Sequence, residues 1–218
     1  MKRRDFGLRM AAAAIPGAAA GALASLAAAP ALAQAAGSYL TLTTPAPVDA
    51  PKGSVEVIEF FSYGCPHCRD FDPIFDKWKK TPPKGAVVRR EHVGFNKSFE
   101  PLQRIFYTLE ALGQTEKVHT KVFEAILNKH TRLDQPDVLF AWVAEQGIDR
   151  SKFEQAYKSF GVSSRIRRAI ELQEAYKVEA TPSLGIAGRY YTDPSKARGF
   201  EGMLQTANQL IEKELKAG

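Results

Sequence analysis

The stretch that decides the fold runs from residue 55 to residue 68, and its sequence is VEVIEFFSYGCPHC. The β-branched and aromatic residues of Val55–Phe61 predict a buried strand that ends before Gly64. Cys65 follows Gly64 directly, and Pro66 suits the first position of a helix, where a missing N–H costs nothing. The stretch therefore predicts a strand that delivers a cysteine to the start of a helix.

Apolar periodicity extends this prediction along the chain. The helix after Cys65 has an apolar face from Phe71 to Trp78, with Asp72 and Asp76 off that face and Pro73 inside the helix, where it should cause a kink. The later predicted elements are a strand at residues 86–95, five amphipathic helices within residues 98–175, a β-hairpin at residues 183–192 and a last helix.

The order of these elements indicates the fold class. It is β-α-β, a helical block, and then β-β-α, which predicts an α/β fold with one mixed central sheet flanked by helices. In this arrangement the helical block is an insertion. Two separate domains are the alternative, but the terminal β-β-α unit would then have too small a core to stand alone.

Cys65 and Cys68 are the only cysteines of the chain. A structural disulfide across four residues would stabilise the folded protein by only about 2 kcal/mol, because it restricts the unfolded chain so little. Structural stabilisation is therefore a poor explanation of the pair. A zinc site is the other alternative, but it needs three or four protein ligands, and His67 is the only further candidate nearby. We therefore expect no metal and no cofactor other than a redox-active Cys65–Cys68 disulfide.

A cysteine at a helix start is expected to be reactive. Unpaired N–H groups and the helix dipole favour the thiolate of Cys65, which lowers its pKa from the ordinary value of about 8.5. His67 should add positive charge and donate a hydrogen bond to the sulfur, Pro66 should stiffen the turn, and Cys68 should lie further inward and resolve mixed disulfides. A stable thiolate makes the disulfide the stronger oxidant, so oxidation of client cysteines is expected.

Residues 60–68, FFSYGCPHC, resemble the active-site region of the DsbA family of periplasmic dithiol oxidases. The resemblance extends to the last helix and implies a thioredoxin-like fold with an inserted helical domain. Residues 36–97 and 176–218 would form the thioredoxin-like domain, and residues 98–175 the insertion. Members of this family have a strongly lowered cysteine pKa and a strongly oxidising disulfide, so the resemblance implies the same direction of reaction, oxidation of client cysteines.

The family resemblance also implies partners. The Cys65–Cys68 disulfide would be donated to unfolded or partly folded exported proteins that carry free cysteines, and a quinone-linked membrane oxidase of the DsbB type would reoxidise the pair. The protein would act as a monomer. A disulfide isomerase or reductase on the same fold, and a periplasmic chaperone or binding module without enzymatic activity, are the alternatives.

Further site residues follow from the same resemblance. Thr181 and Pro182 would form a cis-proline loop that faces the dithiol and pairs with an extended substrate, the alternative being an ordinary turn. Glu59 would be a buried acid that exchanges protons with Cys68, the alternative being an outward-facing carboxylate. Arg90 stands where the family usually has a lysine, and arginine can pair with this acid but cannot relay its proton.

The remaining histidines have no partner that the sequence identifies. We therefore predict structural or surface positions for His92, His119 and His130.

The first residues predict export. Residues 1–35 begin with four basic residues and one acidic residue, continue in an uncharged Ala-rich run and end in an A-x-A pattern, as in a cleaved signal peptide. An uncleaved anchor is the alternative, but Ala and Gly contribute little to membrane insertion. Arg3-Arg4 leaves both the general secretory and the twin-arginine route open, and either one leads to the periplasm.

Charge gives no indication of a nucleic-acid partner. Without residues 1–35, the formal net charge of +6 falls by three, to about +3. The mature chain has no basic cluster with interleaved aromatic residues, so we expect no nucleic-acid binding.

The predicted role of His67 is open to a direct test. Replacing His67 with alanine should raise the pKa of Cys65 and make the disulfide less oxidising, because a positive charge and a donor are removed. Thiolate absorbance against pH and equilibration with glutathione measure the two effects. An unchanged redox potential would contradict this role.

Overall fold

The computed structural model describes residues 37–217, so the predicted signal peptide at residues 1–35 lies outside the described residues. The strands form one mixed sheet in the order β1-β5-β4-β2-β3. They are β1 (Leu40–Thr41), β2 (Val55–Phe61), β3 (Ala86–His92), β4 (Ser183–Ile186) and β5 (Tyr190–Thr192). Only β2 and β3 are parallel, and the other pairs are antiparallel. The predicted α/β fold with a single mixed sheet is confirmed.

Helices cover the sheet and form the insertion between β3 and β4. They are α1 (Pro66–Lys80), α2 (Glu100–Ala111), α3 (Thr115–Phe123), α4 (Pro136–Glu145), α5 (Arg150–Tyr157), α6 (Phe160–Ala175), α7 (Pro194–Ala197) and α8 (Phe200–Ala217). A π-helical turn, Glu124–Asn128, continues α3. In residues 37–217 no helix is both long enough and apolar enough to cross a membrane.

Two details of the sequence prediction change. The second strand ends at His92 and not at residue 95, because its pairing with β2 stops where Phe61 lies opposite His92. The predicted five-helix block corresponds to α2–α6, with the added π-helical turn. Helix α1 runs through Pro73 without interruption, and the kink expected there stays a prediction.

Strand β2 is buried along its whole length because both faces of the sheet are covered. Val57 packs with residues of α1 and α8 on one face, and Ile58 packs with residues from the end of α6 on the other. This explains why its sequence shows an almost continuous apolar run.

A third apolar cluster joins the end of β2 to the inserted helices. Phe61, Tyr63 and Cys68 belong to the same buried cluster as residues of α2–α6. The predicted domain boundaries at residues 97 and 176 stay a prediction, because this core continues across them.

Gly185 of β4 offers a test of the packing around β2. A Cβ at this position would lie 2.5 Å from Cε1 of Tyr176, whose ring is fully buried. Gly185→Ala should therefore lower the free energy of unfolding by about 1–3 kcal/mol in urea denaturation. Gly161→Ala in α6 is the control, because a Cβ there meets only Ser159 Oγ at 3.7 Å. Equal losses for the two variants would contradict this account.

Candidate active site

Cys65 caps the N-terminus of α1, as predicted. Its backbone is extended, and its Sγ accepts the N–H of Cys68 at 3.4 Å. Its own N–H donates to the carbonyl of Ser62 at 3.0 Å. Pro66 occupies the first turn of the helix, where no N–H is needed. The two cysteines are not bonded to each other in this structure.

The two thiols differ strongly in acidity. The pKa of Cys65 is lowered to about 5, first by a hydrogen bond with the Cys68 thiol and further by the backbone N–H groups of Cys68 and His67, which outweigh partial burial. Burial, followed by the hydrogen bond with Cys65, raises the pKa of Cys68 well above its usual range. Cys65 is therefore a thiolate at neutral pH, while Cys68 keeps its proton.

His67 contributes less through its side chain than the sequence indicates. The side chain is exposed, and its imidazole makes no hydrogen bond to any residue in the described range 37–217. The hydrogen bond from His67 to Cys65 comes from the backbone N–H. The expected bond from the imidazole to the sulfur is therefore not formed in this structure, and the influence of its charge stays a prediction.

Thr181 and Pro182 lie against the dithiol. The peptide bond between them is cis, as the resemblance implies. The carbonyl oxygen of Thr181 lies 3.4 Å from Cys65 Sγ and accepts the thiol hydrogen when Cys65 is protonated. Because β4 begins at Ser183 and pairs with β2, the sheet itself brings this loop to the start of α1.

Glu59 is buried, with 2% of its surface exposed, so the outward-facing alternative is wrong. Strand pairing places it opposite Arg90, whose Nε donates to Glu59 Oε2 at 2.7 Å. The pKa of Glu59 is raised to about 7, mainly by burial, with Asp72 and Asp76 adding to the rise and Arg90 opposing it. The carboxyl can therefore take up and release a proton near neutral pH.

Arg90 also binds two acids whose place in the site the sequence pattern does not indicate. Its Nη2 donates to Oδ1 of Asp72 and to Oδ1 of Asp76, both at 2.8 Å. Asp72 is buried although it lies off the apolar face of α1. A helix brings residues four positions apart onto one side, so the spacing from Cys68 to Asp72 was the signal that could have revealed it.

Two of the remaining histidines, for which structural or surface positions were predicted, are buried, and the structure supplies their partners. His92 is fully buried, and its Nε2 accepts the backbone N–H of Tyr63 at 3.0 Å. Burial lowers its pKa to about 3, which keeps the ring neutral. His119 lies between the Tyr63 hydroxyl and Asp72. His130 is at the surface.

The described residues contain no group of three or more His, Cys, Asp or Glu side chains placed to hold a metal ion. The fold and a thiolate-forming cysteine pair at the start of α1 define a thioredoxin-fold thiol–disulfide oxidoreductase.

Comparisons with known proteins specify the family. A family model described as thioredoxin matches residues 43–206. The thiol:disulfide interchange protein DsbA of Bordetella parapertussis is 40% identical over 185 residues, which cover 84% of this chain and 88% of the relative. The crystal structure of Pseudomonas aeruginosa DsbA has a TM-score of 0.80 at 36% identity and covers 84% of this chain and 94% of that chain.

The oxidoreductase DsbA from Xylella fastidiosa is similar in fold, with a TM-score of 0.75 at 27% identity, and covers 83% of this chain and 96% of that chain. The chain belongs to the DsbA family. It is a disulfide-forming protein thiol–disulfide oxidoreductase, and this function fits better than an isomerase, a reductase or a binding module without enzymatic activity.

Glu59 should give the folded protein a pH dependence of defined sign. Its pKa rises from an ordinary 4.5 to about 7 in the folded state, so the native protein holds a proton that the unfolded chain loses between these values. The contribution of Glu59 to stability is present below pH 4.5 and is lost as the pH rises to about 7.

Glu59→Gln removes this titration and should cancel that loss. Between about pH 5 and about pH 8, the wild type should lose about 3 kcal/mol of unfolding free energy relative to the variant in urea denaturation. Glu116→Gln, which removes an exposed carboxylate, is the control and should follow the wild type. A constant difference between the wild type and Glu59→Gln would contradict a raised pKa.

Proposed function

We propose that this protein donates the Cys65–Cys68 disulfide to exported proteins with free cysteines. The proposal rests on the pKa values of the two thiols, which are shifted in opposite directions. The pKa of Cys65 is lowered to about 5, and that of Cys68 is raised. Because the Cys65 thiolate is stable, the reduced pair is favoured and its disulfide is readily given away.

The transfer takes two exchange steps. A client thiolate attacks Cys65 Sγ, a new S–S bond forms, and the Cys65–Cys68 bond breaks with its electron pair on Cys68 Sγ. Cys68 is buried, so its thiolate takes up a proton, and the carboxyl of Glu59 supplies it. A second client thiolate then attacks the client sulfur and releases Cys65 as a thiolate. The client loses two electrons, and the cysteine pair gains them.

The proton source is supported by the geometry beneath the dithiol. Arg90 pairs with both Glu59 in β2 and Asp72, one helical turn after Cys68, and so holds the Glu59 carboxyl beneath the helix that carries Cys68, although the guanidinium itself does not relay the proton. With a pKa of about 7, the Glu59 carboxyl is half protonated near neutral pH. It can thus give a proton when Cys68 leaves and take one back when Cys68 attacks.

Thr181 and Pro182 would hold the client. An extended client segment can pair with the backbone of Thr181 through main-chain hydrogen bonds, which tolerate many side chains. The 3.4 Å distance from Cys65 Sγ to the Thr181 carbonyl supports this role, because a strand bound there would carry its cysteine over the sulfur. His67 and Pro66, exposed beside Cys65, would line the same contact.

The reduced pair must be reoxidised after each transfer, and a quinone-linked membrane oxidase of the DsbB type would do so. The protein would work in the periplasm as a monomer after removal of residues 1–35. Its redox-active disulfide would serve in place of a cofactor. The lowered pKa of Cys65 speaks against a reductase, for which a value near or above 7 is expected.

Cysteine variants test this mechanism on a reduced, unfolded client with two cysteines. Cys65→Ala should abolish client oxidation, because the attacked sulfur is lost. For Cys68→Ala the client is added in its oxidised form, and the Cys65 thiolate attacks its disulfide. Because Cys68 is missing, the client should stay bound in a mixed disulfide that is visible on a non-reducing gel. Full activity of Cys65→Ala would refute the proposal.

The redox potential of the wild type gives the direction of transfer. Equilibration with glutathione should place it close to the value of about −120 mV known for DsbA, the family of this chain, and far from the −270 mV or so of thioredoxin. A thioredoxin-like value would instead support the reductase alternative.

A further inference from the structure

His119 contacts both sides of the cysteine pair. It belongs to α3 of the insertion and is 4% exposed. Its Nδ1 lies 2.9 Å from the hydroxyl of Tyr63, and its Nε2 lies 3.3 Å from Oδ1 of Asp72. Tyr63 comes two residues before Cys65, and Asp72 comes four residues after Cys68. One side chain of the insertion therefore bridges the two flanks of the dithiol.

The contacts around His119 determine which nitrogen carries the hydrogen. The Tyr63 side chain is fully buried, and among residues 37–217 its hydroxyl has no hydrogen-bond partner other than His119. The carboxylate of Asp72 can only accept, so the hydrogen of the neutral ring lies on Nε2, which faces Asp72 at 3.3 Å, and Nδ1 accepts from the Tyr63 hydroxyl. Burial also lowers the pKa of His119, which favours this neutral form.

The neighbours of this bridge restrict its movement. The backbone of Tyr63 is held by His92 of β3, through the N–H that donates to Nε2 at 3.0 Å. Asp72 also accepts from Arg90 and from the hydroxyl of Thr120. Aromatic rings surround the imidazole of His119, with centroid distances of 5.1 Å to Phe61, 6.3 Å to Phe106 and 5.3 Å to Phe123.

We propose that His119 is a positioning residue for disulfide exchange. By fixing Tyr63 and Asp72, it holds the segment with the two cysteines at both ends and keeps Cys65 Sγ against the N–H groups of α1. The stabilisation of the thiolate depends on that placement, since a hydrogen bond weakens as its geometry loosens. The inference rests on the proposed role of Cys65 as the exchanging thiol.

Three substitutions of His119 separate the two contacts. The asparagine amide falls near Nδ1 and can keep the contact with Tyr63, the glutamine amide falls near Nε2 and can keep the contact with Asp72, and leucine keeps neither. His119→Leu should raise the pKa of Cys65 and make the disulfide about fivefold less oxidising against glutathione. His119→Asn and His119→Gln should have intermediate effects.

Two tyrosine variants separate positioning from stability alone. Tyr63→Phe removes a buried hydroxyl beside the dithiol, and Tyr176→Phe removes one that accepts the N–H of Gly188 at 2.9 Å, in a different apolar cluster. Both should lower the free energy of unfolding, because each leaves a buried polar group without its partner. Only Tyr63→Phe should also raise the pKa of Cys65 and shift the glutathione equilibrium.

The inference is overturned if His119→Leu and Tyr63→Phe lose stability as Tyr176→Phe does while the pKa of Cys65 and the glutathione equilibrium stay unchanged. If His119→Leu does not fold, the asparagine, glutamine and Tyr63→Phe variants decide the question by the same two measurements. An ordinary pKa for Cys65 in the wild type would refute the proposed function and this inference together. A low wild-type pKa that no variant moves would refute the inference alone.

Discussion

The guanidinium of Arg90 is buried between β2, β3 and α1, and a buried cation must be compensated there because desolvation costs several kcal/mol. It is compensated by Glu59 from the strand and by Asp72 and Asp76 from the helix, which ties α1 to the sheet just below the cysteines. One cation serves three carboxylates, and burial raises the pKa of Glu59, whereas at Asp72 the contacts with His119, Arg90 and Thr120 outweigh burial and lower the pKa. The same contact that fixes the helix thus leaves a carboxyl able to exchange protons near neutral pH.

The elements that carry the dithiol could be predicted from the sequence because they depend on local patterns. The local sequence pattern predicts the apolar run of β2 and the cysteine at the start of α1. The resemblance to the DsbA family predicts the Thr181–Pro182 loop and the buried Glu59. Asp72 was missed for a physical reason. Its burial depends on partners from β3 and α3 that are distant in sequence, and its position off the apolar face indicates solvent when only the helix is considered.

The inserted helices contribute side chains to the active site and do not merely pack beside it. Their apolar core includes Tyr63 and Cys68, and α3 supplies the imidazole that contacts both flanks of the cysteine pair. His119 could not be assigned from the sequence, since neither its hydrogen-bond partners nor its burial follow from the helical pattern around it. The sequence predicts correctly that His67 lies next to Cys65, but not how the two residues interact. The side chain of His67 is exposed to solvent, and only its backbone N–H contacts Cys65.

The chain has two cysteines, and both stand in the exchanging pair. A bridge between them closes a loop of only four residues and restricts the unfolded chain by about 2 kcal/mol, so the sheet and the buried apolar clusters do not depend on it to hold together. If a protein that oxidises other chains had to be oxidised before it could fold, each new copy would depend on an oxidase that had already folded. This one avoids that circularity, because a newly made copy can reach its native structure first and acquire its oxidising equivalent afterwards.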